Sequence, residues 1–365
     1  MNFNTIFLKS FRVLLLPFAI IYGIIIFIRN KFFDKQWLSS AHFNFPLICV
    51  GNLAVGGTGK SPMVEYLIEL LQPHFKIATL SRGYKRKTRG YALANISSTA
   101  LEIGDEPMQF YQKHPSIAVA VGEERIVAIP HLLQDLPDLQ TIILDDAFQH
   151  RTVNAGLNIL LTEFSNIYAH DFFLPTGDLR DEKASAKRAQ IIVVTKCPVD
   201  LSEQKKSEIL RALKPLPLQS VFFTSIQYDT PYHIGNAKDK HVITQLDEVL
   251  LVCGIANPKP LKDFLLHNSA TYYQQDFSDH HIFSIDDLKE IINKFESIQS
   301  FNKIILTTEK DAVRLMKFND QLKDIPLYVI PIRHHFLFDQ GPQFNEMVVN
   351  YIQHFKFNPV LYEKK

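Results

Sequence analysis

The 365-residue chain has few of the residues that build disulfide frameworks and zinc sites. Its three cysteines, Cys49, Cys197 and Cys253, are far apart and lack any paired spacing. Disulfide scaffolds and zinc sites both need grouped cysteines or histidines at short intervals. We therefore expect neither, and the cysteine usage is typical of a protein in a reducing compartment.

A large excess of charge of one sign is also absent. Lysine and arginine total 39 and aspartate and glutamate total 38, which gives a formal net charge of +1 at pH 7. Nucleic-acid-binding domains normally carry a marked basic excess, so the composition predicts no nucleic-acid partner. The hydrophobic fraction of 46% is ample for a buried core, and the length suits two domains of medium size.

No apolar run reaches the roughly 20 residues that a helix needs to cross a bilayer. The longest, residues 13–28, contains Pro17 and Gly23 and has basic residues on both sides. No small-residue cleavage site follows it, which argues against a removed signal peptide. We predict a membrane-associated helix within residues 1–35, lying at or re-entering the interface, with a membrane span and a buried core helix as alternatives.

What the sequence does contain is a phosphate-loop pattern. An apolar strand at residues 48–52 leads into Gly56-Gly57-Thr58-Gly59-Lys60-Ser61, and a helical pattern follows over residues 62–71. In such a loop the backbone N–H groups bind phosphate oxygens, the lysine adds positive charge, and the serine hydroxyl can ligate Mg²⁺. Ala54 stands where the pattern usually begins with glycine. A plain strand-to-helix turn is the alternative interpretation.

Short apolar runs alternate with helical patterns along the chain, which predicts an α/β fold of the P-loop NTPase type, with helices on both faces of a parallel sheet. A proline-rich patch at residues 214–217 interrupts this series before the alternation resumes. We predict a phosphate-loop domain over residues 36–215, a smaller α/β domain over 216–340 and a C-terminal helix over 341–365.

A second nucleotide-site pattern is the apolar strand 141–144, which ends in Asp145 and Asp146. Beside a phosphate loop, an acid at the carboxyl end of a strand can hold Mg²⁺ directly or through water. Paired acids at this place also cap helices, so the prediction of a nucleotide and Mg²⁺ site depends on the phosphate loop as well.

Two polar groups are candidates for the chemistry itself. Gly104-Asp105-Glu106-Pro107 is either an ordinary helix cap or the source of the carboxylate that phosphoryl transfer to an alcohol needs. Asp279-His280-His281 could pair with a catalytic acid or bind a metal, although such histidines are also common at surfaces. The cationic run at residues 85–89 is either a solvated surface or an attractor of anionic lipid or substrate phosphate.

Together these patterns resemble the tetraacyldisaccharide 4′-kinase family of Gram-negative bacteria. The resemblance spans nearly the whole chain, and its carriers are the apolar N-terminal segment and residues 51–62, 80–84, 104–107, 145–151, 174–181, 279–280 and 308–313. It implies a kinase at the cytoplasmic side of the inner membrane, held there peripherally or monotopically. Such a kinase uses ATP and Mg²⁺ to phosphorylate the 4′-hydroxyl of a tetraacylated glucosamine disaccharide 1-phosphate, which yields lipid IVA.

The resemblance also implies roles for single residues. Asp105 would be the base and His280 its partner across the domain cleft, with His281 an alternative to His280. Lys60 would be catalytic as well as phosphate-binding. The residues implied to bind the ATP phosphates are Gly56, Gly57, Thr58, Gly59, Lys60 and Ser61. Those implied to bind the metal are Ser61, Glu106, Asp145 and Asp146, and those implied to bind the disaccharide are Arg82, Gln149 and His150.

Two other functions are compatible with parts of the sequence. Residues 195–198 are similar to the Thr-Lys-x-Asp of GTPases, but Pro198 occupies the place of the aspartate that recognises guanine. A non-catalytic nucleotide-binding module docked on a membrane is the second alternative, in which Asp105 and His280 would be a helix cap and a surface residue.

Overall fold

The computed structural model describes residues 12–355. Residues 1–11, the start of the predicted membrane segment, and residues 356–365, the end of the predicted C-terminal helix, lie outside the described residues.

The described strands form two large sheets and one small pair. In chain order they are β1 (Ala41–His42), β2 (Leu47–Asn52), β3 (Ile77–Ser81), β4 (Ala92–Leu93), β5 (Ala118–Val121), β6 (Thr141–Asp145), β7 (Val153–Asn154), β8 (Leu157–Glu163), β9 (Ile191–Thr195), β10 (Ser220–Tyr228), β11 (Tyr232–His233), β12 (Asn236–Lys240), β13 (Glu248–Cys253), β14 (Thr271–Asp276), β15 (Lys303–Thr308), β16 (Leu327–Ile330) and β17 (Ile332–Phe336).

Most of the described α-helices connect parallel strands. In chain order they are α1 (Leu16–Asp34), α2 (Lys60–Leu71), α3 (Ala100–Ile103), α4 (Asp105–Lys113), α5 (Arg125–Asp135), α6 (Glu203–Leu213), α7 (Lys259–Asn268), α8 (Ile285–Ser297), α9 (Glu309–Leu315), α10 (Asn319–Leu322) and α11 (Gly341–Gln353).

The larger sheet has nine strands in the order β17-β10-β9-β8-β2-β6-β3-β5-β4. Its strands pair in parallel except at the two edges, where β17 and β4 run antiparallel to their neighbours. The phosphate-loop strand β2 is central and adjoins β6, with Val50 opposite Asp145. The α/β fold with a parallel sheet is thus confirmed, and both nucleotide-site patterns end at the same edge of the sheet.

Apolar side chains cover both faces of this sheet. One face packs Ile48 and Val50 against Met63 of α2 and against Phe344 and Val348 of the C-terminal helix α11. Burial of this apolar area stabilises the layer by about 25 cal/mol per Å². Helix α11 therefore belongs to the core of the larger sheet.

The smaller sheet has six strands in the order β12-β11-β16-β15-β13-β14. Its chain segment leaves the larger sheet after β10 and returns to it at β17, where the Asp229 N–H donates to the Pro331 carbonyl at 3.0 Å. The predicted boundary at residue 215 therefore precedes β10, a strand that pairs with β9 of the larger sheet. Composition does not reveal such an excursion, because the same α/β alternation lies on both sides of it.

Helix α1 packs one face on the protein and exposes the other. Gly23 lies so close to the Phe173 ring that a Cβ there would be 2.8 Å from it, and buried Asn30 donates to Asp181 at 2.8 Å and Glu182 at 2.9 Å. The exposed large apolar side chains of this helix are Leu16, Phe18, Ile20, Ile21, Ile24, Ile25, Phe27, Ile28 and Phe32. Val13–Asp34 is long and apolar enough to cross a membrane, which is weak evidence for membrane association.

Candidate active site

The phosphate loop lies at the carboxyl end of β2, and helix α2 begins within it at Lys60. Gly56 and Gly59 have φ angles of +108° and +83°, which glycine adopts without steric cost. The Thr58 hydroxyl accepts a hydrogen bond from Asn52 Nδ2 at 2.9 Å, and its carbonyl accepts one from the Thr195 hydroxyl at 2.9 Å. These two hydrogen bonds hold the loop backbone in place. The N–H groups of the first turn of α2 are available to bind an anion.

Lys60 shares a carboxylate with an arginine from a distant loop. Its Nζ lies 3.9 Å from Asp146 Oδ1, and Arg180 pairs with Asp146 while donating to Asn52 Oδ1 at 2.6 Å. Burial lowers the pKa of Lys60. Burial alone would raise the pKa of Asp146, but Lys60 and Arg180 hold it below its ordinary value.

Asp145 is a buried carboxylate at the end of β6. The Ser81 hydroxyl donates to its Oδ2 at 3.3 Å, while Arg125 donates to its backbone carbonyl at 3.1 Å. Burial, followed by the neighbouring Asp146 charge, raises the pKa of Asp145 to about 6. A carboxylate so incompletely neutralised by its surroundings is a favourable place for a cation.

The Asp105 carboxylate receives two hydrogen bonds from the smaller sheet's part of the chain. His280 Nδ1–H donates to Asp105 Oδ2 at 3.0 Å, and Arg314 Nε–H donates to the same oxygen at 3.0 Å. Arg314 is itself fixed by Asp311 at 3.2 Å. These bonds join the start of α4 to the 278–281 turn and to α9, so Asp105 lies in the cleft between the two sheets.

Further ion pairs cross the same cleft. Lys310 Nζ lies 2.7 Å from Glu106 Oε1, and Lys113 pairs with Glu65 and Glu309, each at 2.5 Å. Burial raises the pKa of Glu309 to about 7. For Glu106 the burial effect is more than offset by Lys310, so its pKa is lowered.

Similarity to known proteins identifies the family to which this chain belongs. The family described as LpxK, tetraacyldisaccharide-1-P 4′-kinase, matches residues 11–353. The chain belongs to this family. The match covers both sheets and every predicted site residue, and it makes the protein a kinase.

Individual members of the tetraacyldisaccharide 4′-kinase family agree over almost their whole length. The tetraacyldisaccharide 4′-kinase of Flavobacterium johnsoniae is 47% identical over 342 residues, which are 94% of this chain and 97% of that protein. The one from Bacteroides thetaiotaomicron is 40% identical over 353 residues, 93% of each chain. The crystal structure of "apo" form LpxK from Aquifex aeolicus in complex with ATP is 26% identical and superimposes with a TM-score of 0.73, covering 94% of this chain and 99% of that one.

Within this family fold the two histidines of the predicted doublet take different positions. His280, at a φ of +61°, contacts Asp105, as described above. His281 Nε2 instead lies 3.0 Å from Asp287 Oδ2, and its ring stacks on Phe277. The geometry therefore brings His280, and not His281, to the predicted base.

The residues predicted to bind the disaccharide surround the end of β6. Gln149 Nε2 donates to the Asn52 carbonyl, and its buried Oε1 has no hydrogen-bond partner among the described residues. Burial, with the nearby charges of Arg125 and Arg82, lowers the pKa of His150 to about 4. His150 is therefore neutral near pH 7, and Arg82 is exposed.

Several site residues were not singled out from the sequence. Arg180 and Lys310 lie inside segments that carried the family resemblance, so a local signal existed for both. Arg314 follows one such segment. His334, whose Nε2–H donates to the Gly59 carbonyl at 2.9 Å, comes from β17 and has no motif around it. Lys196 of the GTPase-like segment lines the phosphate loop, 4.0 Å from a Cβ position on Gly57.

Proposed function

We propose that the chain transfers the γ-phosphate of ATP to the 4′-hydroxyl of a tetraacylated glucosamine disaccharide 1-phosphate, which gives lipid IVA. One observation carries this proposal: Asp105, which pairs with His280 across the cleft, belongs to the same larger-sheet part of the chain as the phosphate loop and the Asp145 carboxylate. Glu106, the residue after Asp105, is close enough to Asp145 for its charge to raise the pKa of Asp145. The names of the family members support this acceptor, and the ATP of the Aquifex structure supports this donor.

Asp105 acts as the general base in this proposal. His280 and Arg314 both donate to its Oδ2, and among the described residues no hydrogen bond engages its Oδ1. The free oxygen can therefore accept the proton of the attacking 4′-hydroxyl, while His280 orients the carboxylate. Arg314 is a positioning residue, because it fixes Asp105 and contacts His280 through Nη2 at 3.4 Å.

The phosphate loop and its cations bind the donor. The N–H groups of residues 56–61 surround the β- and γ-phosphates, and Lys60 supplies positive charge as negative charge shifts toward the leaving oxygen. Arg180 lies beside Lys60 on Asp146 and adds a second positive charge there. Because Lys60 is largely buried, its charge is poorly screened by water.

The acidic residues fit a magnesium ion. Within residues 12–355 no three His, Cys, Asp or Glu side chains are grouped as a ready-made metal site, but Mg²⁺ commonly takes one or two carboxylates together with phosphates and water. The poorly neutralised Asp145 and the Ser61 hydroxyl would hold the ion. Asp146, which pairs with Lys60, and Glu106, which pairs with Lys310, would accept hydrogen bonds from the water molecules around the ion. When bound, Mg²⁺ would supply positive charge that offsets the negative charge developing during phosphate transfer.

Arg82, Gln149 and His150 bind the disaccharide in this proposal. Gln149 offers an unpartnered buried carbonyl oxygen, which can accept a hydrogen bond from a sugar hydroxyl. His150, neutral at pH 7, can both donate to and accept from hydroxyls.

The exposed apolar face of α1 would place the enzyme on the inner membrane, with the catalytic cleft on the cytoplasmic side. Its other face is anchored through Asn30 and through Tyr22, whose hydroxyl donates to the Arg180 carbonyl at 3.0 Å. The helix would thus lie in the membrane interface as a monotopic element, beside the site residue Arg180. The acceptor of the kinase would reach the cleft from the lipid phase. We propose that the partners of this kinase are its lipid acceptor and the membrane surface, and that nucleic acid is not among them.

The test is phosphate transfer by the detergent-solubilised full chain. The protein is incubated with Mg²⁺, tetraacyldisaccharide 1-phosphate and γ-labelled ATP or GTP, and label is measured in the lipid fraction. We expect lipid labelling from ATP, and a loss of labelling in Lys60→Ala. Nucleotide binding without labelled lipid would overturn the acceptor assignment, and labelling from GTP alone would overturn the donor assignment.

A further inference from the structure

The segment 308–313, which crosses from β15 into α9, contains a lysine whose place in the cleft differs from that of its neighbours. The side chains of Glu309 and Asp311 are only 5% and 0% exposed. Lys310 lies between them in the sequence, and 37% of its side chain is exposed. Its Nζ contacts Glu106 of the larger sheet's part of the chain. The ammonium group of Lys310 is therefore open to the cleft.

This ammonium group has unused hydrogen-bond donors. An ammonium group carries three N–H donors, and among residues 12–355 the one hydrogen-bond partner of Lys310 Nζ is Glu106 Oε1, at 2.7 Å. The backbone that bears Lys310 is held in place, because the Asp311 N–H donates to the Thr308 hydroxyl at 3.2 Å and that hydroxyl donates to Asp311 Oδ2 at 2.7 Å. Lys310 can thus bind a ligand in the cleft while it stays paired with Glu106.

Lys310 also lies near the residues that would hold the nucleotide. Burial is the main reason why the pKa of Lys60 is lowered, and the positive charge of Lys310 lowers it further. Glu106, the partner of Lys310, is close enough to interact electrostatically with Asp145. Positive charges this close repel one another, and an anion bound between them removes that repulsion. Lys60 and Lys310 are therefore placed to share a phosphate group.

The neighbours of Lys310 indicate which phosphate it would contact. Its partner Glu106 follows Asp105, the proposed base, in the sequence. Arg314 of the same helix α9 donates to Asp105 Oδ2 at 3.0 Å. Lys310 thus comes from the side of the cleft on which the acceptor hydroxyl would lie. The γ-phosphate is the phosphate that faces this hydroxyl during an in-line transfer.

We propose that Lys310 binds the γ-phosphate of ATP, so that the part of the chain that forms the smaller sheet supplies a cation to the transferred group. The assignment rests on the proposed kinase function. An ammonium group is a compact positive charge that forms charge-assisted hydrogen bonds to phosphate oxygens. A cation at this place stabilises the negative charge of the transferred group. The alternative is an ion pair with Glu106 that only joins the two parts of the chain.

The test compares the binding of ATP and ADP, which differ only in the γ-phosphate. Both dissociation constants are measured by calorimetry on the detergent-solubilised full chain. In Lys310→Gln the ratio of the Kd for ADP to the Kd for ATP should fall about tenfold, the effect of one charge-assisted hydrogen bond. The Kd for ADP should stay near the wild-type value, which also shows that the variant is folded. The matched control Lys317→Gln removes an exposed lysine just after α9 and should keep the wild-type ratio.

Two further measurements separate a direct contact from an effect on the metal. In EDTA the lower ratio of Lys310→Gln should persist, because a contact with the γ-phosphate does not need an ion near Glu106. With Mg²⁺ and the lipid acceptor, kcat of Lys310→Gln should fall about 10²–10³-fold, as for the loss of another donor to developing charge. Lys310→Arg, which keeps the charge, should retain more of both the ratio and kcat than Lys310→Gln does.

Three outcomes would overturn the assignment. Lys310→Gln weakens ATP and ADP binding equally, or it leaves both unchanged. In the third, the ratio changes only when Mg²⁺ is present, which would show that Lys310 acts through Glu106 and the metal. The binding measurements do not require the acceptor. A wild type that binds ATP but leaves the lipid unlabelled therefore overturns the acceptor assignment alone, and the ratio still decides whether Lys310 contacts the γ-phosphate.

Discussion

At the residue scale, the conformation of the phosphate loop depends on His334, a histidine that lies in no sequence motif. His334 donates to the Gly59 carbonyl and accepts from the Thr224 hydroxyl, with both distances at 2.9 Å. Both bonds require neutral imidazole with its proton on Nε2. Burial lowers the pKa of His334 to about 4, consistent with a neutral ring.

This histidine should make stability depend on pH. The ordinary pKa of 6.5 applies in the unfolded chain, so the unfolded state binds more protons between pH 6.5 and about 4. The contribution of His334 to the free energy of unfolding is therefore complete above pH 6.5. It is lost as the pH falls toward 4, by up to about 3 kcal/mol.

Denaturant unfolding of the wild type and of His334→Gln, measured from pH 7 to pH 4, isolates this effect. Glutamine retains a donor and an acceptor but does not titrate, so the advantage of the wild type should shrink as the pH falls. Other groups that titrate in this range, such as His150 and Asp145, are common to both proteins and cancel in the difference. Parallel pH profiles would show that His334 is not held neutral.

At the element scale, helix α1 combines a polar anchor with an apolar outer face. Asn30 and Tyr22 bind it to residues 180–182, whereas Ile21 and Ile25 are each 57% exposed. The helix thus presents hydrocarbon to its surroundings without depending on that face for folding.

Replacing Ile21 and Ile25 by serine should weaken membrane binding. Burial of one isoleucine side chain contributes about 1.5–3 kcal/mol, so vesicle partitioning should fall at least about tenfold per residue. Sedimentation with liposomes measures it. The control Ile96→Ser/Leu218→Ser removes two exposed apolar side chains outside the helix; an equal loss in that control would exclude α1 as the membrane-binding element.

Elements with a local signal were predictable from the sequence. The phosphate-loop strand, the strand ending at Asp145 and the parallel sheet follow from apolar runs and turn residues. Strand β12 does not, because all of its five residues are exposed and show no apolar alternation. The place of strand β10 in the larger sheet also could not be predicted, because the sequence around the proline-rich patch does not indicate which sheet the strand joins.

At the scale of the whole molecule, the smaller sheet is an insertion into the larger one. We propose that the phosphate-loop domain comprises residues 36–228 and 332–353, and the smaller domain residues 232–330. Arg314 and Lys310 come from this insertion, and His334 lies on β17, where the chain returns to the larger sheet. Single charged residues contributed from distant segments leave no periodic pattern, so these parts of the site could not be predicted from the residues alone.

The Lys113 cluster should hold the two domains together. Lys113→Ala leaves the buried Glu65 and Glu309 carboxyl groups without their shared cation, which is expected to lower the free energy of unfolding by about 3–5 kcal/mol. Denaturant unfolding measures the loss. The control Lys76→Ala breaks the exposed pair with Asp138 and should leave the midpoint nearly unchanged; equal midpoints for the two variants would refute a bridging role for Lys113.

The measurement that tests the central claim most directly is the rate of phosphate transfer to lipid by Asp105→Asn, with ATP affinity determined on the same protein. A positioned base contributes about 10²–10⁴-fold, so kcat should fall by that factor while the Kd for ATP stays close to the wild-type value. Asp279→Asn, which removes a carboxylate near His280 Nε2 but not at the base, serves as the control and should retain most of the activity. Transfer by Asp105→Asn at a rate near that of the wild type would contradict the account, because the Asp105 carboxylate would then have no part in the reaction.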